Sequence, residues 1–304
     1  MLERVLQLLV SWTRPFRGDR TTAVAFGLLL SALLFALVFP AFSPFAPDAT
    51  DAEVFSPPSP RHPLGSDLHG RDLLVRIAVA TRISILVGAA GAAVSLGIGV
   101  GWGLVAGYFG GKVDAWMMRI VDLLYALPSV VLVLLVLNFF ESAVASRLQR
   151  VFPDSPDQAR LILLVLCLGG ISWLTMARIV RGQVLSLKER PFILASRALG
   201  AGAGRILFLH LLPNLSGIIL VYLTLTVPAV MLQESFLSVL GLGIRPPQAS
   251  LGTLIADGAS QLNPVRMRLW LLVFPAGALA GVLWALGRVG DALREAFEPR
   301  DRDV

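Results

Sequence analysis

The sequence predicts an all-α polytopic membrane protein with six transmembrane helices, on three observations. Apolar residues (Ala, Val, Ile, Leu, Met, Phe, Trp, Tyr, Cys) make up 56% of the 304 residues and charged residues only 15%, whereas soluble domains carry about 25% charge. The mean hydropathy is +0.75, so the polar side chains needed to coat a water-soluble globule are missing. Third, six charge-free stretches are long enough to cross a bilayer. A charge at a helix centre costs about 2.5–3.5 kcal/mol and a span needs about 20 residues. The stretches are Thr21 to Pro47, Ile83 to Gly111, Leu123 to Phe140, Leu161 to Ala177, Ile206 to Gln233 and Leu269 to Gly287.

The first stretch follows Arg14, Arg17 and Arg20, as a cleaved leader would, but its apolar core from Ala23 to Pro40 is longer than the roughly 7–15 residues of a leader. It reads as a retained anchor. Ala41 to Thr81 holds Pro44, Pro47, Pro57, Pro58, Pro60 and Pro63, which predicts an extended, irregular strap. In the second stretch Gly91, Ser95, Gly99, Gly103 and Gly107 recur every fourth residue and line one helix face. Small residues let a second helix approach closely where lipid offers no hydrophobic drive. A packing seam is the preferred reading, and a pore lining the alternative. Pro128, Pro228 and Pro275 lie in or near spans, where freed carbonyls need other partners and kinks are expected.

Basic residues orient the chain. With a cytoplasmic N-terminus, the inner segments hold sixteen Lys and Arg and the outer ones ten, as the positive-inside rule requires. Both termini are then cytoplasmic. Basic residues that punctuate apolar runs do not form the stripe of a nucleic-acid binder. The single Cys167 excludes an internal disulfide and a cysteine metal cage.

Between the fourth and fifth spans, Arg178 to Arg205 carries six basic residues against Glu189 alone. Within it, Pro191 to Gly200 reads as a short helix. Proline suits the first helical position, Glu189 and Arg197 suit the dipole at either end, and Gly200 suits a left-handed stop. Phe192, Ala195, Ser196 and Leu199 share a face. Such a helix either lies on anionic lipid or docks a cytoplasmic partner. Gly202 and Gly204 free the chain to turn into the fifth span.

Other polar groups admit two readings each. His62, Asp67, His69 and Asp72 are metal-ligand types, but Pro63, Gly65 and Gly70 interrupt them, and ion pairs with Arg71, Arg76 and Arg82 account for the carboxylates better. Glu234 either meets solute or is held by a local donor. His210 either packs before Pro213 or switches with pH. The P-loop pattern is missing, since Gly111-Lys112 is followed by Val113. Energy must then come from a partner. No nucleophile, acid or metal constellation for an intramembrane enzyme stands in the spans, nor the ionisable residue of a proton-coupled carrier.

Ala195-Ser-Arg-Ala-Leu-Gly200 followed by His210-Leu-Leu-Pro-Asn214 resembles the "EAA" loop of ABC importer permeases. Further matches are to the second-subunit (C-type), binding-protein-dependent permeases of the dipeptide/oligopeptide/nickel branch. These are His62-Pro-Leu-Gly-Ser-Asp67 through Asp72, Arg82 to Gly88, Asp114 with Met118-Arg119 and Pro128, Glu234 to Gly243 with Pro246-Pro247, and Gly290-Asp291 with Glu298-Pro-Arg300. Departures are Leu194 at the namesake Glu, Leu251 at a common Trp and Gly287 at a common Asn.

The resemblance implies a type I ABC importer permease fold in the bacterial inner membrane. Residues 1–80 would form the N-terminus, first helix and strap, 81–291 the transport domain with its coupling loop near 178–214, and 292–304 a cytoplasmic tail. It implies a second homologous permease, two cytoplasmic ATPases that use ATP and Mg, and an extracytoplasmic solute-binding protein. No cofactor, metal or nucleic acid is expected on this chain beyond lipid contact. Phe192, Ala195, Ser196, Arg197, Ala198, Leu199 and Gly200 would form the ATPase-docking coupling helix. Peptides are the first expected solute, with nickel complexes and other small solutes behind.

Overall fold

The computed structural model describes residues 20–137, 139, 156–244, 246, 248–262 and 267–297. Pro247 and the Glu298-Pro-Arg300 motif lie outside them. The described residues are almost wholly helical. In chain order they form α1 (Arg20–Phe42), α2 (Leu73–Phe109), α3 (Gly111–Tyr125), α4 (Ser129–Leu137), α5 (Pro156–Leu187), α6 (Pro191–Ala198), α7 (Ala203–Val239), α8 (Leu251–Ser260) and α9 (Trp270–Phe297). Five are long and apolar enough to cross a membrane, and α3 with α4 makes a sixth crossing if the bent pair counts as one span.

Two helices run well past the charge that bounded their charge-free stretch. The helix α2 starts ten residues before Ile83, at Leu73, and so includes Arg76 and Arg82. Similarly, α5 runs on from Ala177 through Arg178 and Arg181 to Leu187. Arg76 lies 3.3 Å from Asp67, Arg178 2.7 Å from Asp122 and Arg181 2.5 Å from Asp114. Arg178, held by a partner near a span end, escapes the cost that made it look like a boundary, whereas Arg82 is exposed at its position in α2. The loop expected from Arg178 therefore begins only after Leu187.

The third span is broken. Here α3 is amphipathic and meets α4 at 90°. Pro128 supplies no N–H, and proline disfavours helical geometry at the residue before it. By contrast α7 and α9 run unbroken through Pro228 and Pro275. At the other end of α3, Gly110 (φ +64°) and Gly111 (φ +52°) turn the chain out of α2, a conformation that side chains with a Cβ rarely adopt.

The strap before α2 is irregular, as predicted, and it caps that helix. Asp72 accepts from Val75 N–H at 2.9 Å and pairs with His62 Nδ1 at 2.9 Å. Asp67 accepts from Arg71 Nε at 2.7 Å and from the backbone N–H of His69 and Arg71. The expected ion pairs thus form for Arg71 and Arg76. Asp72 takes His62 instead, and Arg82 has no ion pair among the described residues. No group of three or more metal-ligating side chains converges among the described residues.

The core is a stack of apolar clusters. One joins the start of α2 to α8 and α9 (Leu73, Ile77, Leu251, Leu271). A second joins α2, α4, α5 and α7 (Val87, Val133, Leu168, Val230). The third gathers the far ends of α2 and α5 around Ile193, Ile206 and Leu211. The α2–α5 pairing is the closest. A Cβ on Gly99 would stand 2.6 Å from Met176 Cβ, and on Gly107 2.7 Å from Val184 Cβ. Gly91 faces Val230 of α7, and Ser95 is fully buried. The seam residues therefore face other helices of this chain.

Candidate functional site

Two features at opposite ends of a rigid path form the site. The first is α6. Pro191 opens it, and it closes in a Schellman arrangement. There Gly200 N–H donates to Arg197 O at 2.9 Å and Ala201 N–H to Ser196 O at 3.0 Å, with Gly200 at φ +79°. The left-handed stop is where the sequence put it.

The face of α6 is less simple than its apolar spacing implied. Ile193 is fully buried among Val180, Val184, Ile206 and Leu211. Phe192 (42% exposed), Leu194 (51%) and Leu199 (88%) point outward, together with Ala195, Arg197 and Ala198. Ser196 is half-buried, its Oγ 3.4 Å from His210 Nε2. Arg197 lies over the Tyr108 ring, 5.0 Å from its centroid. So Ile193 is the seat, which the apolar spacing passed over by assigning the face to Phe192, Ala195, Ser196 and Leu199. Its signal was an apolar residue one turn before Arg197 on the side of the following apolar helix.

The seat is held from both sides. Lys188 donates to Gly107 O at 3.0 Å, fastening the end of α5 to the end of α2. Residues Ile206–Leu211 form a π-helical turn just before Pro213. A proline cannot donate to its i−4 carbonyl, and wider i→i+5 bonding upstream is one way a helix absorbs that loss. His210 lies in this turn and packs against α6, as expected of a residue before Pro213.

From the seat, α5 leads to a cavity of about 570 Å³ between the broken third span, α5 and α7. Its polar lining is Tyr125, Ser129, Ser172, Thr175, Tyr222, Thr226 and Gln233, with no charged residue among the described lining. Tyr125 and Thr175 hydroxyls are 2.7 Å apart, and Ser172 Oγ donates to Gln233 Oε1 at 3.4 Å. The sequence held a signal for this wall, since Ser172 and Thr175 sit at i, i+3 and Tyr222, Thr226 and Gln233 at i, i+4, i+11 of otherwise apolar helices.

Ion pairs tie the cavity to the α6 end. Arg181 holds Asp114 through two bonds, Nε at 2.5 Å and Nη2 at 2.6 Å, the bidentate geometry that orients as well as attracts. Arg178 bonds Asp122 at 2.7 Å and stacks on the Tyr125 ring at 4.1 Å. Both pairs run from α5 to α3, so α3 is coupled to α5 at its first turn and again near the bend. Glu234 lies outside this path. It is fully buried, and its Oε1 accepts from Ser238 at 2.7 Å and Ser250 at 2.6 Å.

Residues 99–303 match the family described as "Binding-protein-dependent transport system inner membrane component". Among curated proteins, the chain is similar to the oligopeptide transport system permease protein OppC of Haemophilus influenzae, 39% identical over 95% of this chain and 88% of that one. It is 41% identical to OppC of Bacillus subtilis over 94% and 88%, and 41% identical to OppC of Escherichia coli K12 over 95% and 90%.

Proposed function

This chain belongs to the family of binding-protein-dependent transport system inner membrane components, a multi-pass transport subunit, and from that premise we propose that it is one of two permeases of an ATP-driven peptide importer. The second permease is a homologue. Two ATPases bind at the α6 end, which faces the cytoplasm together with both termini, and a solute-binding protein docks on the opposite face. ATP and Mg act in the ATPases.

The observation that carries this reading is the presentation of α6. An eight-residue helix exposes Phe192, Leu194 and Leu199 while Ile193 anchors it in the membrane domain's own core. The exposed portions of these three side chains amount to roughly two whole ones, so their burial in a partner's cleft contributes about 3–5 kcal/mol before association costs. That suffices for a grip on a partner. It is far less than a membrane anchor, which favours docking over lying on lipid.

Force applied to α6 reaches the cavity through groups already named. Ile193 passes it to α5, Lys188 ties the end of α5 to α2, and Arg181–Asp114 and Arg178–Asp122 pass it to α3. The break at Pro128 lets α3 swing against α4, which opens or closes one wall of the cavity. ATP shifts the balance between the two states only in so far as the ATPase contacts α6 differently in each. The peptide assignment rests on the OppC relatives and on the wall itself. Hydroxyls and one amide bond a peptide backbone without selecting its side-chain charge, and the described lining offers no carboxylate, thiol or imidazole for a bare metal ion.

The test is a cysteine at Leu199 in a background with Cys167→Ser, treated with a short bifunctional thiol reagent in native vesicles. Crosslinking to a co-expressed ATPase, with uptake blocked by the crosslink and lost on ATP depletion but not on uncoupling, is the expected result. Uptake that follows the proton gradient, or capture of no ATPase during active import, refutes it.

A further inference from the structure

At the end of the helices remote from α6, a second cavity of about 640 Å³ opens between the strap, the start of α2 and the start of α5. Its charged lining among the described residues is Asp48, Arg76 and Arg82. Arg76 is 5% exposed, and its Nε and Nη1 are buried with no hydrogen-bond acceptor among the described residues. Asp67 is 3.3 Å away, but it already accepts from Arg71 Nε and two backbone N–H groups. Buried unsatisfied donors cost about 1–3 kcal/mol each, and those on a guanidinium cost more. Arg82 is exposed and unpaired among the described residues, as is Asp48.

The apolar part of the cavity continues in line with these charges. Arg76, Val79, Ile83 and Leu86 fall at i, i+3, i+7 and i+10, one face of α2, and all four line the cavity. Polar groups stand at the start of a spanning helix and an apolar trough runs on into the bilayer. The occupant that complements this order is an amphiphile with an acceptor-rich anion, a cation beside it and a hydrocarbon chain below.

We propose that this cavity binds one phospholipid with a primary-ammonium headgroup. Its phosphodiester lies on Arg76 and Arg82, its ammonium on Asp48, and an acyl chain runs along Val79, Ile83 and Leu86. Guanidinium groups match phosphate oxygens by geometry as well as charge, and a primary ammonium donates to a carboxylate where a quaternary one cannot. A free phosphate would leave the apolar trough empty. This site is independent of the transport assignment, because it requires only that α2 spans a membrane.

The experiment uses the full chain with its co-expressed partner subunits, purified in mild detergent and exchanged into bilayers with equal parts of phosphatidylethanolamine, phosphatidylglycerol and phosphatidylcholine. Tightly retained lipid is counted by native mass spectrometry after a detergent wash. Phosphatidylethanolamine is expected as the dominant species. Arg82→Ala, at an exposed position that should leave folding intact, should lower its retention about tenfold, the effect of roughly 1.4 kcal/mol. Asp48→Asn should remove the preference over phosphatidylglycerol while total phospholipid persists. Retained lipid that mirrors the bilayer mixture overturns the proposal, and so does retention unchanged in both variants. Retention of phosphate alone from phosphate buffer, with no lipid, also overturns it.

Discussion

Glycines 97, 99, 101 and 103 alternate along one helix, and the structure separates them into two classes. A Cβ on Gly103 would stand 2.6 Å from Ala177 O, 2.7 Å from Val180 Cβ and 2.9 Å from Arg181 N; on Gly99, 2.6 Å from Met176 Cβ and 2.8 Å from Trp173 O. Around Gly97 and Gly101 nothing lies within 4 Å. Carbon contacts settle near 3.5–4.0 Å, so alanine at 99 or 103 forces α2 and α5 apart by about 1 Å. The obstacles include backbone oxygen and nitrogen, which no rotamer change can move aside, so the cost belongs in the upper part of the ~1–3 kcal/mol range for overpacking. Alanine regains about 0.8–1.0 kcal/mol of helix propensity, leaving about 1–2 kcal/mol of net loss. The same gain unopposed makes Gly97→Ala and Gly101→Ala neutral or stabilising. The double variant Gly99→Ala/Gly103→Ala should lose less than the sum, because helices parted once need not part again. Unfolding in mixed micelles with rising SDS measures these differences. Equal midpoints for all four single variants, or a larger fall at 97 and 101, would refute the packing argument.

Three other substitutions probe the path and its surroundings. Asp114→Asn should lower solute-stimulated uptake in vesicles at least about fivefold by freeing α3 from Arg181, and Asp114→Arg/Arg181→Asp should recover part of it, the outcome a pair contributing about 1–3 kcal/mol gives. Failure of the swap to recover anything argues against the pair as a mechanical tie. Gln233→Glu places a charge in a neutral wall and should make uptake depend on peptide charge, read from competition between acidic and basic tripeptides; unchanged preference contradicts the cavity assignment. Burial pushes the Asp257 carboxyl above the usual range, with Arg76 pulling it back. A raised carboxyl stabilises the fold below the unfolded pKa of about 3.9 and loses that contribution as pH rises through its folded value. Asp257→Asn should therefore raise the thermal midpoint at pH 7 and make no difference near pH 3.5, where a constant offset would count against burial as the cause.

The spans were legible because charges are costly in hydrocarbon, and the same rule misplaced ends where a helix carries charges through its first or last turns. Arg82 and Arg178 ended stretches in the sequence, yet both lie inside helices together with Arg76 and Arg181, and Asp67, Asp122 and Asp114 hold Arg76, Arg178 and Arg181. Those partners are between 9 and 67 residues away in the chain, beyond any local pattern. The coupling segment was legible to the residue at Gly200, whose positive φ is a local property, but not at Ile193, whose burial depends on Ile206 and Leu211 folding back over it. The cavity was hidden because Tyr125, Thr175 and Gln233 become one wall only once Pro128 breaks the third span. Proline announced a kink at three places, and only packing decided which one opened.

If α6 transmits the ATPase stroke as a rigid piece, a matched pair of glycines shows it. Gly200 sits at φ +79°, while Gly202 sits at φ −67° in extended geometry, and neither has a neighbour within 4 Å of its Cβ position. Valine is therefore strained at 200 alone, by about 1–3 kcal/mol, without any steric clash. Uptake and ATP hydrolysis should be measured together in proteoliposomes that hold the assembled importer. Gly202→Val should transport at close to the wild-type rate, and Gly200→Val should hydrolyse ATP with uptake lost. Coupled uptake in Gly200→Val would contradict the account.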